Sequence, residues 1–232
     1  FDYQPSDSII ENQPKLVPTV TDVKHQMETA VPDVSRMFAG WPANYADIYK
    51  GLTFERSVAA NMIAQATGGV SICLTLVGAS GVGKTTAARQ VLADLSKQGM
   101  SCWEHRVDLM LDPSEWVALA RALAKAGKRG ALFIDDAHAH IREINELVDG
   151  LSHAAVSSLV VILASSRNHW KPRIKSPNIY KRGKLYILSK IDGAEIERLL
   201  SLVDASADLA KIVESSFSGF SRTEKRRRLT DR

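Results

Sequence analysis

Two hydrophobic signals alternate along this chain: short continuous apolar runs, and stretches where apolar residues return every three or four positions. The first run, Val70 to Val77, reads as a buried strand. Thr85 to Gln98 follows as a helix with Ala87, Val91, Leu92 and Leu95 on one face, stopped at Gly99. Ser101 to Val107 reads as a second strand. Asp112-Pro113-Ser114-Glu115 then opens a helix, with Asp as cap, Pro at the first position and Glu three after the cap. Trp116, Leu119, Ala120, Leu123 and Ala124 form its apolar stripe. A third strand at 131–135 precedes a helix carrying Ile141, Ile144, Leu147, Val148 and Leu151. Ser158 to Ala164 and Leu185 to Leu188 read as the fourth and fifth strands. A second capping box, Asp192 to Glu195, opens a helix with Ile196, Leu199, Leu200 and Val203. A further helix, Phe54 to Ala66, leads into the first strand. Strands separated by helices predict an α/β fold with a parallel sheet and right-handed crossovers.

Residues 1–37 are polar, contain Pro5, Pro14, Pro18 and Pro32, and carry a short helical signal only at Val23 to Thr29. They read as a linker or the end of an upstream domain. Gly40-Trp41-Pro42 opens the ordered α/β unit, expected over 38–203, and 204–232 reads as the start of a helical subdomain. The chain begins at Phe1 and ends on a basic helix at Arg232, so the expectation is a piece of a longer protein.

Between the first strand and its helix lies Gly78-Ala79-Ser80-Gly81-Val82-Gly83-Lys84-Thr85, which fits G-x-x-x-x-G-K-[S/T] in the strand–loop–helix context that gives the pattern meaning. A polyphosphate needs several donors converging on it, and glycines let backbone N–H groups come close. The helix that starts near Lys84 adds free N–H groups and a positive dipole end. Lys84 can reach terminal phosphates as a point charge. The hydroxyl of Thr85 suits Mg²⁺, which keeps its waters and the nucleotide oxygens as further ligands. Thr86 completes the segment.

The third strand ends in Asp135 and Asp136, at the sheet edge where open α/β folds bind ligands. Asp135 is the candidate to hold the water shell of Mg²⁺, and Asp136 to orient or deprotonate an attacking water. The alternative is that both cap the following helix. His138 and His140 come next, and read either as a partial transition-metal site or as polar residues of a turn.

Composition narrows the class. A chain of 232 residues can bury a sizeable core. No apolar run is long enough to cross a bilayer, and no signal-peptide pattern opens the chain. Cys73 and Cys102 both lie in predicted strands, which excludes a disulfide scaffold and leads us to expect a reducing, cytoplasmic setting. The net charge of +4 is modest, but eight basic residues and no acidic one fall between Arg167 and Ile191. Arg222 to Arg228 adds five more against Glu224. These runs are either solvated faces or strips that touch nucleic-acid phosphates.

Taken together, Gly78–Thr85, the Asp135-Asp136 pair, and the fourth strand running into Ala164-Ser165-Ser166-Arg167 resemble the STAND class of P-loop NTPases, relatives of the AAA+ ATPases. Gly40-Trp41-Pro42, Asp47-Ile48 and Arg56 look like prokaryotic members acting in antiphage defence. The resemblance covers roughly 38–203. It implies a three-layer αβα sandwich with sheet order 5-1-4-3-2, in which Arg167 faces the γ-phosphate of ATP as a sensor. It also implies that the region around Pro42, Tyr45, Ile48 and Arg56 forms a lid over the adenine. ATP or ADP with Mg²⁺, self-association through this domain, and effector and sensor domains elsewhere in the full-length chain are the implied partners. An AAA+-like ATPase acting on nucleic acid is the alternative.

Overall fold

The computed structural model describes residues 9–170, 175–205, 209 and 219–230. Its centre is one six-stranded sheet. The strands are β1 (Val20–Asp22), β2 (Cys73–Gly78), β3 (Ser101–His105), β4 (Gly130–Ile134), β5 (Leu159–Ser166) and β6 (Gly183–Leu188). They lie in the order β1-β3-β4-β5-β2-β6. The expected five-stranded parallel sheet of order 5-1-4-3-2 is therefore corrected. The sheet has six strands and is mixed, because Val20–Asp22 adds to the edge of β3 antiparallel, pairing Val20 with His105 and Asp22 with Trp103. Three residues are too few for a period-2 pattern to register, so this strand is silent in the sequence.

The remaining pairs are parallel: β2 with β5 and with β6, β3 with β4, and β4 with β5. β2, β4 and β5 read as unbroken apolar runs because helices cover both of their faces. Successive side chains therefore serve opposite cores. Leu132, Ile134, Val161 and Leu163 pack with Trp103, Trp116 and Leu147. Ala131, Phe133, Val160 and Ile162 pack with Met62, Val91 and Leu92 on the other side.

The helices are α1 (Val23–Thr29), α2 (Val34–Phe38), α3 (Tyr45–Tyr49), α4 (Ser57–Gly68), α5 (Lys84–Lys97), α6 (Pro113–Lys125), α7 (Ile141–His153), α8 (Pro177–Lys181) and α9 (Gly193–Ala205), with a C-terminal helix Arg222–Thr230. Asp112 caps α6 as its sequence predicts, its Oδ1 accepting from the N–H groups of Ser114 and Glu115. From residues 9–37, Ile10, Leu16 and Val20 enter one core and Val23 and Met27 the other. The basic residues Lys171 and Arg173 lie outside the described residues, as do Pro5 and, within the expected helical segment 204–232, residues 206–208, 210–218 and 231–232.

Candidate phosphate-binding site

The loop between β2 and α5 owes its shape to its glycines. A Cβ at Gly78 would stand 2.5 Å from the Leu188 carbonyl oxygen and 2.9 Å from Val82 Cγ1, so β2 can meet the loop only without a side chain there. Gly81 and Gly83 have φ of +75° and +89°, in the region glycine enters at least cost. Gly83 then caps α5, whose first free N–H groups face the loop.

Around this loop lies a cavity of about 500 Å³. It is lined by Ser80 to Thr86, Asp135 and Asp136, together with Trp41, Pro42, Phe54, Arg56 and Ile191. Thr85 Oγ1 donates to Asp135 Oδ2 at 2.7 Å, and the Asp136 N–H donates to Asp135 Oδ1 at 2.9 Å. Burial pushes the Asp135 carboxyl up from its ordinary range, against the Thr85 and Asp136 hydrogen bonds that favour its charge, while the Asp136 and Glu104 carboxylates add to the upward push. Lys84 Nζ donates to the Ala79 carbonyl at 2.7 Å, folded back along its own loop.

Asp136 is exposed, in left-handed backbone (φ 42°, ψ 43°), and its side chain makes no capping bond to the turn that follows. The helix-cap alternative therefore lacks a contact. Arg167 follows β5, with its N–H bonded to the Gly78 carbonyl at 3.2 Å. That places its backbone against the start of the loop, while its side chain is exposed and is not among those lining the cavity. Pro42 reaches the wall because its segment is fastened to α5. The Ala43 N–H donates to Thr86 Oγ1 at 3.2 Å, and Arg89 Nη1 donates to the Ala43 carbonyl at 2.9 Å. Tyr45 and Ile48 face the core instead and do not line the cavity.

Arg56 lines the cavity but is bound on three sides, to the Val82 and Ser189 carbonyls and to Glu195. Although burial opposes its ionisation, Glu195 is held below the usual carboxylate range by N–H groups of Ser57 and Asp192 and by Arg56. This partnership is invisible in the sequence, where Glu195 registers only as the third residue after a helix cap. Met37, Thr53, Phe54 and Ile191 also line the cavity without any local motif to announce them.

The two histidines turn apart. His138 stacks on His169 with ring centroids 4.4 Å apart, while His140 sits edge-on to His105 and donates from Nε2 to the Val107 carbonyl at 3.2 Å. Among the described residues, no group of three or more His, Cys, Asp or Glu could hold a metal ion. A magnesium ion asks less: a hydroxyl and a carboxylate, with water and phosphate oxygens for the rest. Thr85 and Asp135, already 2.7 Å apart, fit that requirement.

Strand, glycine loop and helix at the carboxyl end of a largely parallel sheet define a P-loop-type α/β domain. The family model described as Novel STAND NTPase 5 matches residues 35–178, well over half of the 232 residues, and the chain belongs to that family of STAND NTPases. No curated protein matches the sequence. Among solved structures, S. cerevisiae Hsp104, in the extended conformation of its casein complex, aligns over 93% of this chain and 40% of its own, with 12% identity and a TM-score of 0.53. C. elegans PCH-2 aligns over 71% and 50%, at 16% identity and a TM-score of 0.44. The E. coli MS115-1 HORMA:CdnC:Trip13 complex aligns over 75% and 68%, at 12% identity and a TM-score of 0.45. The likeness to Hsp104 is one of fold, and the chain spans only two fifths of that protein's length.

Proposed function

We propose that this domain is an ATP- and Mg²⁺-dependent switch that hydrolyses slowly and whose nucleotide state governs self-association of a larger signalling or defence protein. The observation that carries the reading is that Lys84, Thr85, Asp135 and Asp136 line one cavity together with the glycine loop. Thr85 and Asp135 would hold Mg²⁺, which when bound neutralises phosphate charge. Lys84 needs only to leave the Ala79 carbonyl to meet the terminal phosphates. Asp136 would take the proton of a water as its oxygen bonds to the γ-phosphorus and the bond to the leaving ADP oxygen breaks. Trp41, Pro42 and Phe54 offer apolar surface for the base.

A switch requires that ATP and ADP bind with different free energies to the states they select. Arg167 would supply that difference by turning its guanidinium toward the γ-phosphate, from a backbone already bonded to Gly78. Calorimetric titration tests this. Arg167→Ala should weaken ATP binding about ten- to a hundredfold, the worth of a charge-assisted hydrogen bond, and leave ADP binding nearly unchanged. ATP-induced growth in mass by light scattering should vanish in the same variant. Equal losses for both nucleotides would remove Arg167 from this role.

A further inference from the structure

Arg56 is only 5% exposed, yet its guanidinium joins three separate parts of the chain. Nη1 donates to the Val82 carbonyl in the phosphate loop at 2.6 Å, and Nη2 to the Ser189 carbonyl just beyond β6 at 3.0 Å. Nε faces Glu195 Oε1 on α9 as an ion pair at 3.1 Å. Glu195 is itself buried and held from both sides: Oε1 accepts from the Ser57 N–H at 2.7 Å and Oε2 from the Asp192 N–H at 3.0 Å. Arg198, one turn along α9, adds bonds to the Glu55 carbonyl and to Ser57 Oγ.

The Val82 contact has a directional consequence. No described peptide bond is cis, and in a trans peptide the C=O and the following N–H point opposite ways. Fixing the Val82 carbonyl on Arg56 therefore points the Gly83 N–H in the opposite direction within that peptide plane, away from the guanidinium. The guanidinium also lies close against the loop: a Cβ on Gly83 would come within 3.3 Å of Nη1. Glycine peptides left free would sample many orientations, and donors fixed in advance bind an anion at less ordering cost.

We infer that Arg56 is a positioning residue for the phosphate loop, that Glu195 is its anchor, and that phosphate affinity is thereby set by how α9 is seated. The inference rests on the nucleotide-site reading above. Because coupling between two equilibria is reciprocal, nucleotide entering the loop acts back on α9. From α9 the effect reaches the C-terminal helix, where Arg222 bonds Glu197 and Asp204.

The test is calorimetric titration of the full chain with Mg²⁺–ATP, beside thermal unfolding. Arg56→Lys keeps the charge but not the three-way fork, and should bind about tenfold more weakly. The double variant Arg56→Met/Glu195→Gln leaves no unpaired buried ion, so it should unfold near the parent while losing about the same tenfold. The surface change Arg198→Ala should weaken binding in the parent but add nothing in the double variant, a non-additivity that a purely structural role would not produce. Unchanged affinity in Arg198→Ala or Arg56→Lys, or simple additivity, would overturn the inference while leaving the nucleotide site intact. A parent chain that binds no Mg²⁺–ATP would overturn the site reading and this inference with it.

Discussion

Asp136 occupies a backbone state that costs an L residue about 1–2 kcal/mol, least for Asp and Asn, whose short polar side chains suit it. It accepts that geometry at the lip of the cavity without capping the turn that follows. Its Asn variant keeps the backbone tolerance and removes the base. Asp136→Asn should therefore retain ATP affinity while Mg²⁺-dependent phosphate release falls about a hundredfold or more. A phosphate-release assay showing parental turnover would leave Asp136 no part in the chemistry. Residues of this kind are legible in the sequence because the chemistry is contiguous: Lys84 and Thr85 adjoin the glycines, and Asp135 and Asp136 end an apolar run. Ile48 is not, because its apolar character cannot say whether it faces cavity or core, and here it faces core.

At the level of elements, α9 depends on ionised carboxylates at its start. Asp192 and Glu195 cap each other's backbone, with the Asp192 N–H donating to Glu195 Oε2 and the Glu195 N–H to Asp192 Oδ1. For Asp192 the Glu195 N–H is the main influence, and for Glu195 burial opposes but hydrogen bonds and Arg56 prevail, so both carboxyls are held below their ordinary range. A depressed carboxylate contributes stability above its unfolded pKa, near 4, and loses it as pH falls through the folded value. The melting temperature should thus be level from about pH 5 to 7 and decline below about pH 4. Glu195→Gln should lower it at pH 7, since removing one partner of a buried pair costs about 3–5 kcal/mol, and should flatten the acid arm. Parallel acid arms by calorimetry would contradict this. The capping box is plain in the sequence; that its Glu also anchors Arg56, 139 positions away, is set by the sheet placing β6 beside β2. β1 escapes for a related reason, since its partner β3 lies far along the chain.

Across the whole domain, part of the basic surface is paired. In the C-terminal helix Arg222 pairs with Glu197 and Asp204, Arg226 with Glu197, and Arg227 with Glu224. Lys175 stands over Trp170 and Tyr180, and Lys184 over Tyr186. Among the described residues, no helix is long and apolar enough to cross a membrane. What the molecule does offer is one cavity where a glycine loop, a lysine, a threonine and two carboxylates meet. The most direct measurement on that cavity is calorimetric titration of the parent and of folded Lys84→Ala with Mg²⁺–ATP. The Lys84 side chain donates to the Ala79 carbonyl within its own loop, so its removal should leave unfolding nearly unchanged. The account predicts saturable binding by the parent and affinity at least about tenfold weaker in the variant, the loss of a charged phosphate ligand. Equal affinity in the two proteins, or no binding by the parent, would contradict it.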